Sequence, residues 1–281
     1  MQVVESGRTA AKSSERFPVS ESICPVLENK PVNDGYIHLV LDAAHGAAVA
    51  QAGQFYHLLC PATGEHTPFL RRPMSIYRID RAQGRLEFLY KIVGAGTKAL
   101  ATLKPGDGLD VFGPLGRGFE LPETCRHVAM VARGVGLATL APLAEMAIER
   151  GARVSAILSA REPAYLMSED YLRSVGAEVV TVTDAEGTSS VEDVERMVRS
   201  LIEQEGVDLI GTCGSNRLLM LLQRLCAEYK IPGQVALEQL MGCGIGMCFV
   251  CVLPFRSPDG LVYKRVCKDG PVFPIEEALS W

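Results

Sequence analysis

The chain reads as a multidomain protein: an antiparallel β-barrel, a doubly wound α/β domain with a parallel sheet, and a small cysteine-rich domain. Three observations predict this. Short β-type runs parted by turn residues fill the stretch from Cys24 to Leu121, and from about residue 123 continuous apolar runs alternate with helix-patterned segments. Four of the nine cysteines then crowd into the segment after Pro232. At roughly 100–200 residues per domain, 281 residues accommodate two domains and a smaller third.

Residues 1–20 are polar and aperiodic, with Arg8, Lys12 and Arg16 set against Glu5 and Glu15, and read as a flexible tail. Residues 21–122 form the barrel. Its runs include YIHLVL at 36–41, RPMSIYRI at 72–79 and RLEFLYKIV at 85–93, separated by Asn33-Asp34-Gly35, Gly53, Gly64, Gly84, Gly94 and Pro105-Gly106-Asp107-Gly108. Residues 123–234 form the α/β domain. HVAMVA at 127–132 precedes Gly134, Gly136 and the helical LATLAPLAEMAIERG. RVSAILSA, a helix at 168–174, EVVTVTD, a helix at 191–205, VDLIGTCG and a helix at 216–229 follow, a rhythm that buries a parallel sheet between helices. Residues 235–281 are the cysteine-rich domain.

Composition narrows the function. With 28 Lys+Arg against 33 Asp+Glu the formal net charge is -5, so no global field draws a phosphate backbone, and nucleic acid is not an expected partner. The most apolar uncharged run, 240–255, is shorter than the roughly 20 residues of a membrane span. The first twenty residues carry no apolar signal core, and a cytoplasmic protein is expected. In a reducing compartment cysteines serve metals or catalysis more often than disulfides.

The strongest motif is Cys243, Cys248, Cys251 and Cys267, spaced C-x4-C-x2-C with the fourth far downstream, close to the plant-type 2Fe–2S pattern. Three thiolates from one loop can wrap one side of a compact cluster while the fourth arrives from a distant strand. Gly242, Gly244 and Gly246 let that loop bend, and Pro258-Asp259-Gly260 turns the chain so that LVYKRV returns Cys267. The rival is structural zinc, which takes two C-x2-C pairs, and here only Cys248 and Cys251 form one. Cys24, Cys60, Cys125 and Cys226 are scattered and read as small buried hydrophobes.

Two further constellations suit phosphates. Arg72-Pro73-Met74-Ser75 sets a cation, a kink and a hydroxyl on one strand, with alternation placing Arg72 and Met74 opposite Pro73 and Ser75 unless the proline distorts the pleat. Gly94-Ala95-Gly96-Thr97-Lys98 opens a helix, where free N–H groups meet phosphate oxygens. Gly134-Val135-Gly136 follows a buried strand but has Thr139 where the dinucleotide fingerprint has Gly or Ala. Cys213-Gly214-Ser215-Asn216 ends another buried strand, where open α/β sheets place ligands. Ser159 and Arg161 end the second sheet strand and are given no role.

This order of barrel with RPxS, glycine-turn α/β domain and C-terminal cysteine loop resembles the ferredoxin–NADP reductase superfamily. Within it, residues 241–248, Cys251, Cys267 and the run 264–273 resemble the electron-transfer subunits of class 1B, NAD-dependent, dihydroorotate dehydrogenases. The resemblance spans about residues 21–275. It implies an oxidoreductase subunit with FAD, a 2Fe–2S cluster and NAD(H) as cofactors. FAD would be lined by Arg72 (near the pyrophosphate), Pro73, Met74 and Ser75 (near the reactive edge), flanked by Leu89, Tyr90 and Lys91, with Gly96 and Thr97 at its phosphates. Gly134, Gly136 and Cys213 would meet NAD, and the four cysteines would ligate the cluster.

The resemblance also implies an FMN-containing catalytic dehydrogenase subunit as partner, in a heterotetramer of two catalytic and two electron-transfer subunits, with the cluster at their interface. No catalytic residue is assigned. Two alternatives are a flavin and iron–sulfur subunit of another complex (an NADH-dependent ferredoxin:NADP reductase, a hydrogenase or another dehydrogenase) and a non-enzymatic redox sensor or zinc-stabilised module. The chain departs from the family at Arg133, where a small residue is usual, at Ser215, where proline is usual, and at the bulky Phe249 and Val250.

Overall fold

The computed structural model describes residues 19–64 and 67–280; the tail read at 1–20 lies outside them save for its last two residues, and Ser20 already begins a strand. Strands β1 (Ser20–Asn33), β2 (Tyr36–Asp42), β3 (Phe55–Leu58), β4 (Arg72–Asp80), β5 (Arg85–Lys91) and β6 (Gly108–Leu115) close a barrel in the order β1-β2-β5-β4-β3-β6. Every neighbouring pair is antiparallel. Leu39, Leu41, Ile76, Phe88 and Tyr90 fill its core. At the β1–β2 corner Asn33 Oδ1 accepts the N–H groups of Gly35 and Tyr36, each at 3.1 Å, the side-chain turn that asparagine favours. Helices α1 (Ala44–Val49) and α2 (Ala95–Leu100) lie in the connections.

The second layer alternates β7 (His127–Arg133), α3 (Gly136–Glu149), β8 (Arg153–Ala160), α4 (Glu169–Ser174), β9 (Glu178–Thr183), α5 (Val191–Ser200), β10 (Leu209–Cys213), α6 (Asn216–Tyr229) and β11 (Gly233–Ala236). The helix expected at 191–205 is α5 continued by a π-turn over Leu201–Glu205. The chain runs from β7 out to β8 and β9, then returns to place β10 on the other side of β7. The strand order therefore reverses between β7 and β10, the crevice in which open α/β sheets bind ligands. Ser215, in the position where proline is usual, is the N-cap of α6, its Oγ accepting the Leu218 N–H at 3.4 Å.

The last segment forms a hairpin of β12 (Val252–Ser257) and β13 (Gly260–Arg265), then α7 (Val266–Asp269) and β14 (Val272–Pro274). β14 pairs antiparallel with β11 and completes the six-stranded sheet. The division expected at 234/235 thus falls inside β11, because the cysteine-rich segment shares the sheet. Cys267 sits on α7, just past the strand expected to carry it. One apolar cluster joins all three parts, with Phe55 and Leu115 of the barrel, Val235 of the sheet, and Cys251, Cys267 and Phe273 in contact. Cys24, Cys60, Cys125 and Cys226 are buried in the cores, as read from the sequence.

Candidate functional site

A cleft of about 610 Å³ runs between barrel, sheet and cysteine segment, a size suited to a cofactor. The barrel lends Arg72, Pro73, Met74, Ser75, Leu89, Tyr90, Lys91 and Thr97 to its wall. Eight of the nine residues that the family resemblance places at FAD therefore meet in one place. Alternation along β4 does not divide Arg72 and Met74 from Pro73 and Ser75, since all four line the cleft. Gly96, the ninth, lies beneath Arg72: a Cβ there would stand 2.6 Å from Arg72 Nε.

The polar groups have distinct tasks. Tyr90 donates its hydroxyl to Asn29 Oδ1 at 3.1 Å inside the barrel, so only its ring serves the cleft. Thr97 Oγ1 accepts from Val93 N (2.9 Å) and Gly94 N (3.1 Å) and donates to the Gly94 carbonyl. Its hydroxyl thus shapes the turn ahead of α2 and is not left over for a phosphate. Arg71 is occupied by Asp110 at 2.9 Å and by Glu21, whereas Arg72 meets a backbone carbonyl, that of Leu70.

Across the cleft stand Val135 of the β7–α3 turn, Ala138 and Thr139 of α3, and Leu237, Glu238, Gln239, Leu240 and Met241. Of the residues matched to NAD, Gly134, Gly136 and Cys213 are not in the lining; they build what lies behind it. Gly134 takes φ +56°, and a Cβ on Gly136 would stand 2.6 Å from the Cys213 carbonyl oxygen. Close approach of the β7 and β10 ends requires glycine there. Cys213 is buried, its thiol pushed up by desolvation and then by the nearby Glu238, with Thr139 as its hydrogen-bond partner. Glu238 is exposed at the cleft wall, and desolvation by the protein packed around it pushes its carboxyl above the usual range. The sequence reading missed Glu238; a lone carboxylate after a buried strand was the available signal.

Arg133 does not reach into the cleft. It forks onto Asp184 at 2.6 and 3.1 Å and donates to the buried Ser159 Oγ at 2.8 Å, tying the ends of β7, β8 and the turn after β9 together. The fork, with Ser189 assisting, holds the Asp184 carboxyl at about 2.

The cysteine loop lies next to the cleft, beginning at Met241. Cys243 is half-buried, Cys248 exposed, and Cys251 and Cys267 buried. Backbone N–H groups point at sulfur: Met247 and Cys248 donate to Cys243 Sγ at 3.2 and 3.4 Å, Cys243 to Cys248 Sγ at 3.4 Å, and Cys267 to Cys251 Sγ at 3.4 Å. Desolvation works against ionisation of Cys243, but the N–H groups of Cys248, Ile245 and Met247, together with the Cys248 side chain, outweigh it and bring the thiol to about 6. Gly244 and Gly246 hold φ +71° and +83°, and Arg265, forked onto Asp269, donates to the Gly246 carbonyl at 3.3 Å.

The thiols fall into two pairs, Cys243 with Cys248 and Cys251 with Cys267. Two sulfur pairs ringed by N–H donors fit a two-iron cluster better than one tetrahedral zinc. The loop's surface is apolar: Leu240, Ile245, Met247, Phe249 and Val250 are all exposed, Met247 by 74%.

Comparison with known proteins agrees with this geometry. Residues 238–279 match the model of the iron-sulfur cluster binding domain of dihydroorotate dehydrogenase B. A dihydroorotate dehydrogenase B (NAD(+)) electron transfer subunit from Desulforamulus reducens is 35% identical over 84% of this chain and 90% of its own length. One from Bacillus cereus is 36% identical over 90% and 96%. Among solved structures, that of an NADH-dependent reduced ferredoxin-NADP oxidoreductase superposes with a TM-score of 0.77 at 25% identity, covering 92% of this chain and 90% of that one.

Proposed function

From the premise that this chain belongs to the family of dihydroorotate dehydrogenase B electron transfer subunits, we propose that it carries electrons from a catalytic partner subunit to NAD in the oxidation of dihydroorotate, a step of pyrimidine biosynthesis. The observation that carries this reading is the adjacency of two features: an exposed thiol loop ringed by apolar side chains, and a cleft at the sheet's switch point. When bound, a 2Fe–2S cluster exchanges single electrons and FAD exchanges both single electrons and hydride, which lets a one-electron source meet a two-electron carrier.

The chain's own residues then have separable roles. Cys243, Cys248, Cys251 and Cys267 hold the cluster, and their exposed rim of Met247, Phe249 and Val250 meets the FMN-containing catalytic subunit, in a heterotetramer of two subunits of each kind. Arg72, Pro73, Met74, Ser75, Leu89, Tyr90 and Lys91 seat FAD, with Gly96 giving Arg72 room and Thr97 shaping the phosphate turn. Gly134 and Gly136 shape the NAD crevice, and Cys213 and Glu238 stand behind and beside it. No helix among the described residues is long and apolar enough to cross a membrane, and we place the complex in the cytoplasm.

The test is anaerobic purification with the co-eluting partner, followed by titration with NADH and, separately, dihydroorotate. Flavin and cluster bands should bleach with both donors, and with dihydroorotate only when the partner is present. Bleaching by NADH but never by dihydroorotate would instead favour a subunit of another flavin complex, such as the NADH-dependent ferredoxin-NADP type whose fold it shares.

Arg133 supplies a narrower prediction. Replacing it with glycine strips the Asp184 carboxylate of its guanidinium and leaves it only Ser189 at the sheet's ligand edge, where it repels the anionic dinucleotide. Because such a partly exposed pair is worth at most about 1 kcal/mol, the KM for NAD(H) should rise roughly fivefold with kcat little changed. An unchanged KM would mean that the fork only ties the strand ends together.

A further inference from the structure

β3 turns its side chains alternately to two surroundings. Tyr56 and Leu58 enter the barrel core, while Phe55 joins the apolar cluster shared with Cys251 and Cys267. His57, two residues after Phe55, leaves the barrel on the same face. Phe55 lines the cleft. The His57 ring is its neighbour, with centroids 5.7 Å apart and planes tilted by 52°. Beyond it lies the cysteine loop: a Cβ on Gly244 would stand 3.0 Å from both Cε1 and Nε2 of His57. His57 thus fills the space between the cleft wall and the loop.

Its polar edge has no use within the protein. The residue is 1% exposed, and Nε2 is buried with no hydrogen-bond partner. Buried polar atoms in native folds are almost always paired, so an orphan points to a partner that the polypeptide does not supply. Gly244 stands between Cys243 and Cys248, so the edge that carries Nε2 abuts the loop bearing two of the four thiols. The other groups directed at those sulfurs are backbone N–H groups.

We propose that His57 is a hydrogen-bond donor to the bound cluster, its Nε2–H meeting the sulfur framework on the Cys243–Cys248 side, and that it raises the cluster's reduction potential. The inference rests on the reading of the four cysteines as 2Fe–2S ligands. Reduction adds negative charge to the sulfurs, and a donor aimed at them stabilises the reduced form, which is how hydrogen bonds tune such clusters. An imidazole keeps at least one ring N–H whether neutral or protonated, so it can donate to the cluster. Placed next to Phe55, the same ring holds the loop at a set position relative to the cleft.

The test uses the full-length chain purified with its catalytic subunit. The potentials of cluster and flavin are measured in one redox titration followed by EPR and visible absorption, for the wild type, His57→Leu and His57→Gln. His57→Leu should lower the cluster's midpoint by an amount equivalent to about a tenfold loss in the ratio of reduced to oxidised cluster, 59 mV for one electron, with the flavin's midpoint unmoved. His57→Gln, which keeps an N–H at similar reach, should recover part of the shift. An unchanged midpoint in a fully loaded His57→Leu protein would overturn the proposal.

Pulsed EPR of the reduced wild type labelled with 15N-histidine decides the matter even if the leucine variant does not fold. A hyperfine coupling to an imidazole nitrogen is expected, and its absence refutes the contact. A wild-type preparation without the cluster's EPR signal would overturn the reading of the cysteines themselves, and the role of His57 with it.

Discussion

Replacing Cys248 with serine is expected to abolish dihydroorotate-dependent NAD reduction while the chain keeps its FAD. Cys248 is the exposed member of the four thiols, and it stands in reciprocal contact with Cys243: each backbone N–H donates to the other's sulfur at 3.4 Å. Serine keeps the size but not the ligand, since its hydroxyl stays protonated at neutral pH. Losing even a group that only orients a metal ligand costs about 10–100-fold in affinity, so loss of a ligand itself should empty the site. The cluster's visible and EPR signals should vanish, and coupled turnover should fall by at least roughly a hundredfold. NADH oxidation with an artificial acceptor that takes electrons from the flavin should persist, because the cleft is built from other elements. Cys226→Ser is the matched control, buried on α6 and outside the four ligands, and should affect stability alone. Intact coupling in Cys248→Ser would sink the assignment of the cluster.

The parts of the fold legible in the sequence are those whose local pattern matches their tertiary surroundings. β7, β8 and β10 are continuous apolar runs because helices cover both sheet faces, and β2, β4 and β5 stand out between turn residues. β1, with two prolines and five charged or amide side chains in SESICPVLENKPVN, has no such pattern; β2 and β6 on either side of it impose its extended form. β3 is four residues long and buried throughout, so no alternation marks it, yet it places both Phe55 and His57. α7 and β14 follow from the docking of the cysteine segment onto β11.

The site divides in the same way. The cysteines were legible because ligand spacing is a local property of one loop. The barrel wall of the cleft was legible through a family motif. The opposite wall, Leu237 to Met241, is not local, because it forms only where the chain leaves the sheet edge and crosses toward the barrel. Arg133 shows the limit most plainly. Its position before Gly134 marks it only as a departure from the family, because its partner Asp184 lies 51 residues on, across two strands.

Arg72→Ala is expected to release FAD and leave the cluster in place. Arg72 and Arg71 are adjacent arginines with opposite surroundings. Arg71 has its carboxylates, Asp110 and Glu21. Arg72 faces the cleft, packs on Gly96 at the start of α2, and meets no carboxylate among the described residues. A guanidinium beside the positive end of a helix is unfavourable unless an anion lies between them, and a pyrophosphate meets both demands. A hydrogen bond to a charged group is worth about 1.5–3 kcal/mol, so the Kd for FAD should rise roughly 10–150-fold. The free flavin would be read by fluorescence after gel filtration, with the cluster's absorbance as the internal reference. Arg71→Ala loses only the ion pairs to Asp110 and Glu21 at the barrel surface and should retain FAD. Gly96→Val separates charge from position: its Cβ would stand 2.6 Å from Arg72 Nε and push the guanidinium away while keeping it in the chain. Loss of FAD from both Arg72→Ala and Gly96→Val requires the arginine to act from that one place, whereas retention in Gly96→Val with loss in Arg72→Ala would reduce its part to bulk charge at the cleft mouth.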